Sequence, residues 1–288
     1  MEIGMMHKKL QYAERKHNLF LLFRSKLINV LKSTMVFLGV YPSRASSKEQ
    51  LLKFLKQNGP VGCNKELIRL GSSGDGGYLI PNDLEGIKYC FSPGVSDNSD
   101  FELDCAKKGM NVFLADMTVD APAISHENFN FIKKFIGAVP NQDFMTLDSW
   151  INNMIKDDTN QDLILQMDVE GYEYEILLSL SLENLKKFRI IIIEFHTLEN
   201  ILSSPYFKII QAVFDKLRIF HSCVHIHPNN CYPAKRIKGI QFPYALEYTF
   251  YRNDRFIKNE NIQIPHSLDQ DNTINKKIVL SEEWYGVY

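Results

Sequence analysis

The chain has 288 residues, 45% of them hydrophobic and 12% aromatic, with 33 Lys and Arg set against 34 Asp and Glu. That much apolar material supports one substantial core, and a net charge of -1 offers no bulk attraction for nucleic acid, which is not expected as a partner. Five cysteines (Cys63, Cys90, Cys105, Cys223, Cys231) form no C-x-x-C pair, and the chain begins without a signal-peptide pattern, so a reducing, cytoplasmic setting is expected.

Residues 1–48 carry nine Lys or Arg against two Glu, and the stretch NLFLLFRSKLINVLKSTMVFLGVY repeats apolar residues at helical spacing. Arg24, Lys26 and Lys32 interrupt it, whereas a membrane span needs about 18 nearly uncharged apolar residues. The expectation is a basic amphipathic helical extension over 1–48. It either docks on the main domain or on a second subunit of a homo-oligomer, or lies on the inner face of an anionic membrane. VYPSRASSKEQ (40–50) reads as the linker, and a globular α/β domain follows over 49–288.

Within that domain, short apolar runs predict strands at 87–91 (IKYCF), 111–115 (NVFLA), 135–139 (FIGAV), 163–167 (LILQM) and 189–195 (RIIIIEF). Runs without alternation are typical of parallel strands covered on both faces. The strand–helix alternation predicts an α/β fold with a doubly wound, mostly parallel, seven-stranded sheet. SCVHIH (222–227) and ALEYTFY (245–251) complete it as an antiparallel end, and the polar tail after Arg252 reads as a surface extension.

Ligands of such sheets sit beyond the carboxyl ends of the strands. The first strand runs into SPGVSDNSDFELDCAKKG, where Gly94 permits a tight turn. Ser99 and Glu102 match a capping box for a helix that Gly109 ends. The pattern lacks G-x-G-x-x-G, which disfavours a dinucleotide. Asp116 follows Gly94 by 22 residues at the end of the second strand, the spacing of a ribose-binding carboxylate, although an ordinary loop Asp gives the same pattern. A nucleoside cofactor without pyrophosphate results, and S-adenosylmethionine fits. Gly94, Ser96, Asp97, Asp116 and Met117 are the candidate cofactor residues at these two strand ends.

DVEGYEYEIL (168–177) resembles the D-V-E-G-x-E-x-x-x-L signature of FkbM-type S-adenosylmethionine-dependent methyltransferases. RLGSSGDGGYLIP (69–81), IIIEFH (191–196) and VHIHPNN (224–230) are similar to further segments of one branch, so the resemblance spans about residues 65–252. It implies a class I, Rossmann-like methyltransferase that O-methylates a sugar, as in polysaccharide biosynthesis, with a glycan or nucleotide sugar as acceptor. SPGVSDNSD departs from it in being less glycine-rich than the usual first motif. The rivals are a nucleotide-sugar oxidoreductase or epimerase, and a non-catalytic scaffold of the same fold.

A sugar hydroxyl needs positioning and a nearby base. Asp168 and Glu170 lie at the exit of the fourth strand: Asp168 is a candidate to hold the methionine amino group or the acceptor, and Glu170 to bind the acceptor or a cation. Glu173 and Glu175 are assigned to the start of the following helix, where they offset its dipole. Glu194 and His196 end the fifth strand and are read as pointing in and out of the sheet. His196 is either a general base or a buried, hydrogen-bonded histidine. His225 is a further catalytic candidate. With His227 on the same strand face it could bind a metal, but no ligand spacing is diagnostic and no metal is assigned. In GSSGDGGYLI, Asp75 and Gly76 either line the cofactor cleft or form a plain turn, and Arg69 suits a substrate phosphate.

Overall fold

The computed structural model describes residues 2–155 and 161–286, the side chains of residues 2–16 and 18 excepted. The chain divides into two compact units, Met1–Ala45 and Ser46–Tyr288. The first is the helix α1 (Glu2–Phe37) and the residues after it. Phe20, Phe23, Leu27, Leu31 and Phe37 are exposed on it. Among the described residues no helix is long and apolar enough to cross a membrane. Lys8, Lys9, Arg15 and Lys16, part of the basic surplus expected there, lie outside the described side chains.

The second unit is built on seven strands: β1 (Tyr89–Pro93), β2 (Asn111–Ala115), β3 (Phe129–Ile132), β4 (Leu163–Met167), β5 (Phe188–His196), β6 (His221–Asn229) and β7 (Ala245–Arg252). They lie in the order β6-β7-β5-β4-β1-β2-β3. The pairs β4–β5, β4–β1, β1–β2 and β2–β3 are parallel, while β7 runs antiparallel to both β5 and β6. Strand order reverses at β1, between β2 and β4, which is where such sheets open a ligand crevice. The mostly parallel α/β fold expected from the alternation is therefore present.

The period-two geometry of strands divides the core into two layers. Phe91, Leu163, Leu165, Met167, Ile191, Ile193 and Phe195 face one side, where α2 (Lys48–Asn58), α4 (Leu147–Met154), α5 (Glu173–Ser179), α6 (Leu182–Lys187) and α7 (Ser204–Leu217) supply Phe54, Trp150, Ile176, Leu185 and Phe214. Cys90, Val112, Ile164, Ile190 and Ile192 face the other, covered by α3 (Asp100–Lys107) and by a hairpin of Leu67–Gly71 with Gly77–Pro81. Both faces are apolar, so the strands carry no simple in/out alternation.

Three expectations are corrected. FIGAV is not the third sheet strand: Phe129–Ile132 pairs with β2, and Phe135–Ile136 makes only a two-residue ladder with Phe144–Met145. Ser99 makes no side-chain cap on α3, because Asn98 Oδ1 takes the Asp100 N–H at 2.9 Å and Glu102 turns inward to Ser92. The tail after Arg252 is not a plain surface extension. Trp284 is 1% exposed and donates its indole N–H to the Gln241 carbonyl at 2.7 Å, with Ile278 and Leu280 buried beside the same unit.

Candidate active site

The exits of β1, β2 and β4 are stitched together by backbone. Gly94 donates its N–H to the Ala115 carbonyl at 2.9 Å, and Asp168 donates to Pro93 at 3.1 Å. Gly94 has φ +85°, and a Cβ there would stand 1.5 Å from the Asp168 carbonyl oxygen. The position admits only glycine, on both counts. Four described non-glycine residues adopt left-handed φ, and three of them lie within three residues of an exit of the central sheet: Ser96 (48°) after β1, Glu170 (52°) after β4 and Thr197 (50°) after β5; the fourth, Lys238 (53°), is in a surface hairpin turn. Strain of this kind concentrates at functional sites.

Two cavities open at this point. One, of about 210 Å³, is lined by Phe135, Ile136, Phe144 and Tyr172 with Asp116 and Thr118. The other, of about 110 Å³, is lined by polar groups including Asp75, Asp97, Asn98, Glu102 and Gln166. Gly94, Ser96, Asp168 and Glu170 line both. Gly76 also lines the second cavity, whereas Met117 lines neither.

Asp116 is 7% exposed. Its Oδ2 accepts from the Val95 and Ser96 N–H groups at 3.0 and 2.9 Å; its Oδ1 accepts from the Thr118 N–H and hydroxyl at 2.7 and 2.6 Å. Burial opposes its charge, but the bonds from Thr118, Ser96 and Val95 outweigh it and hold the carboxyl below its usual range. With about four acceptor sites on a carboxylate, these donors already fill it. As it stands Asp116 braces the glycine turn, and a ribose would have to displace the Thr118 hydroxyl.

The exits of β4 and β5 meet around His196, whose side chain is 6% exposed. Its Nδ1 lies 2.9 Å from Glu173 Oε1. Its Nε2 faces Glu170 Oε2 at 3.3 Å, Glu194 Oε1 at 3.6 Å and Asp168 Oδ1 at 3.8 Å. Glu194 and His196 therefore lie on the same side of β5, as residues two apart must, and not on opposite sides. Glu173 is 0% exposed and also accepts the Gly171 N–H at 2.9 Å. The helix-start role assigned to Glu173 is thus secondary to its bond with the imidazole. Glu175, exposed, keeps the expected place in the first turn of α5.

Burial raises the Asp168 carboxyl to about 7; Glu170, Glu173 and Asp75 add to the rise and His196 opposes it. Glu194 is pushed well above the usual range by burial and by Asp168, Glu247 and Asp75. Burial alone would lower His196, but the bond to Glu173 and the surrounding carboxylates raise it. The opposite end of the same strands differs: Arg189 and Arg252 each meet Asp162 at 2.6 Å. Charge is paired at the amino end of the parallel strands and left in carboxylate excess at the carboxyl end.

Sequence reasoning missed the floor of the polar cavity. Ser92 Oγ lies against the Glu102 carboxyl and, at 2.7 Å, against Gln166 Oε1, while Gln166 Nε2 donates to the Tyr78 hydroxyl at 3.1 Å. Burial raises Glu102 to about 7, against the effect of Ser92. A polar residue inside each apolar strand run, Ser92 in β1 and Gln166 in β4, was the available signal. Arg69 spends two of its N–H donors on its own loop: its guanidinium donates to the Ser72 and Gly74 carbonyls at 2.8 and 2.7 Å and props the turn that carries Asp75. His225 is not brought to the cluster either. Its Nε2 lies 2.9 Å from Asp269 of the tail, and it lines neither cavity.

Residues 43–218 match the family described as "Methyltransferase FkbM domain", more than half of the chain. The chain belongs to the FkbM methyltransferase family. The FkbM match takes in β1 to β5 and the Asp168–Glu173 stretch, and stops before β6, β7 and the tail. Comparison with curated protein sequences gave no match. Among solved structures, the fibrillarin pre-rRNA processing protein of Methanococcus jannaschii is similar at 13% identity, over 66% of this chain and 83% of its own, with a TM-score of 0.37. The fibrillarin/Nop5p complex follows at 10% identity, over 58% and 73%, with a TM-score of 0.34. A point mutant of the 16S rRNA (adenine(1408)-N(1))-methyltransferase from Catenulisporales acidiphilia gives 11%, 64% and 98%, and 0.29.

Proposed function

We propose that this FkbM methyltransferase transfers a methyl group from S-adenosylmethionine to a hydroxyl of a sugar, on a glycan or a nucleotide-linked precursor. The observation that carries this reading is the pair of cavities sharing Gly94, Ser96, Asp168 and Glu170, one apolar and one polar. The cofactor has matching ends: a flat purine for Phe135, Ile136, Phe144 and Tyr172, and an amino-acid end for the polar cavity. Asp168 Oδ1 is buried with no hydrogen-bond partner, and so has capacity for the ammonium of that end.

The cofactor supplies an electrophilic methyl on a sulfonium. When bound it would give that methyl to the acceptor oxygen and keep the C–S electron pair on sulfur, while the hydroxyl gives up its proton. The chain has to hold the acceptor oxygen in line and relieve it of that proton. Asp168 and Glu170 line both cavities, and His196, which lines neither, meets them at 3.8 and 3.3 Å; these are the groups in place to do so. Aromatic rings adjoin them: Tyr244 lies 6.2 Å from His196 and 4.8 Å from Tyr232, centroid to centroid. A sugar has an apolar C–H face and a hydroxyl rim, which suits a ring pair beside carboxylates and an imidazole.

Calorimetry with S-adenosylmethionine, followed by a methyl-transfer screen against nucleotide sugars and oligosaccharides, tests the proposal. Saturable cofactor binding and methylation of a sugar hydroxyl are expected. Binding of NAD in place of S-adenosylmethionine would overturn it in favour of an oxidoreductase.

A further inference from the structure

The carboxylate cluster contains a geometric demand that methyl transfer does not explain. Glu173 is fully buried and its Oε1 already accepts the Gly171 N–H at 2.9 Å, so as an acceptor 2.9 Å from His196 Nδ1 it favours the neutral ring with its proton on Nδ1. Nε2 then presents a lone pair. What it faces are other acceptors, Glu170 Oε2 at 3.3 Å and Asp168 Oδ1 at 3.8 Å, and Asp168 Oδ1 is itself buried without a hydrogen-bond partner. With the ring neutral, three electron-rich atoms point at one another, and either a proton or a cation has to lie between them. One ligand atom from each of Asp168, Glu170 and His196 lies within 4.8 Å of the other two.

The spacing suits a cation. Two donors bound at about 2.1 Å to one octahedral ion stand roughly 3.0 Å apart when adjacent and about 4.2 Å apart when opposite; the distances from Nε2 fall between these. A histidine that ligates a metal through one nitrogen commonly gives its other N–H to a carboxylate, which sets the tautomer and the ring orientation. Glu173 occupies that position, held in turn by the Gly171 N–H at 2.9 Å. Glu170, whose Oε2 lies 3.3 Å from Nε2, adopts φ +52°, in the left-handed region that a glutamate enters at a cost.

We infer that Asp168, Glu170 and His196 Nε2 bind a divalent cation, with Glu173 as the residue that orients the imidazole. The donor set of two carboxylates and one imidazole suits Mn²⁺ or a similar first-row ion. Three protein ligands leave positions open for water or for an acceptor oxygen, which the ion would polarise. The inference rests on the methyltransferase reading of the same site and changes two roles in it: His196 becomes a ligand in place of a base, and Asp168 Oδ1 a ligand in place of an acceptor for the ammonium.

The test is calorimetric titration of MnCl₂ into full-length protein stripped with chelator, without other ligands. One equivalent binds in the wild type. His196→Ala and Asp168→Asn weaken binding at least about 100-fold, and Glu173→Gln weakens it about 10- to 100-fold. Should either of the first two fail to fold, Glu170→Gln decides the matter, because Glu170 is 82% exposed and no core depends on it; a loss of at least about ten-fold is expected there. No uptake by the wild type at about 1 mM Mn²⁺, or unchanged affinity in Glu170→Gln, overturns the site. S-adenosylmethionine titrated into a second sample separates the two readings. Uptake of Mn²⁺ without the cofactor supports the ion site and overturns the methyl-donor reading, whereas uptake of the cofactor without Mn²⁺ overturns the ion site alone.

Discussion

Gly94 shows how one backbone position sets a site. Its φ of +85° and the 1.5 Å separation between a hypothetical Cβ and the Asp168 carbonyl join two requirements that no other residue meets. Gly94→Ala is expected to abolish S-adenosylmethionine binding and lower the melting temperature, read by calorimetry and thermal unfolding; retention of cofactor affinity would contradict the close approach. The importance of Gly94 was legible from its place after an apolar run. The identity of its neighbour was not, because Asp168 is 74 positions away. His221 offers a second residue-scale expectation. It is 1% exposed, its Nε2 lies 2.7 Å from the Phe188 carbonyl, and burial pushes its imidazole down to about 4. An unfolded imidazole titrates near 6.5, so between these values the unfolded chain takes up a proton that the folded one refuses. The stability tied to neutral His221 is complete above about pH 6.5 and is lost as pH falls toward about 4, up to about 3 kcal/mol. Urea unfolding at pH 7 and pH 4.5 measures it, with His221→Gln expected to show a smaller difference than wild type.

At the scale of elements, the five expected parallel-type runs locate four sheet strands and displace one. β3 is Phe129–Ile132, a four-residue edge strand whose pattern is broken by Asn130, while the more apolar FIGAV lies in a two-residue ladder. Hydrophobicity locates what is buried, and an edge strand is buried less. The DVEG stretch illustrates the same limit in a turn. Its first two carboxylates read as site residues from their position at a strand exit, and the structure brings both beside His196. Glu173 falls at the first position of α5, where a carboxylate has a local reason to be, and only packing against β5 reveals its contact with the imidazole. The tail misleads for a related cause: its residues are polar on average, yet Ile278, Leu280 and Trp284 are spaced among them and buried. Trp284 packs edge-to-face on Phe242 at 5.5 Å. Trp284→Ala should cost about 3–5 kcal/mol in a denaturant titration; a loss below about 1 kcal/mol would show that the tail is dispensable for stability.

For the whole molecule, the hydrophobic residues of both cores, among the described residues, begin at Leu51. A fragment spanning 46–288 is expected to unfold cooperatively within about 2 °C of the full chain, by calorimetric scanning; failure to fold would mean that the first 45 residues contribute to the core. The overall charge balance conveys nothing about the site, because a sum over the chain does not say that Arg189 and Arg252 sit with Asp162 at one end of the sheet and the carboxylates around His196 at the other. Some features were determined by the sequence alone: the α/β class, the mostly parallel sheet with its antiparallel end, the strand exits at Gly94 and Asp168, and the FkbM relationship. All of these are written in local periodicity, turn chemistry or contiguous motifs. The tertiary structure decided which acceptors meet. It occupied Asp116 with its own loop, tied Arg69 to a turn, turned His225 toward the tail and set Glu173 against His196. Each of these outcomes depends on contacts between segments distant along the chain or on which neighbour fills a carboxylate's lone pairs, and a periodic pattern carries no information about either.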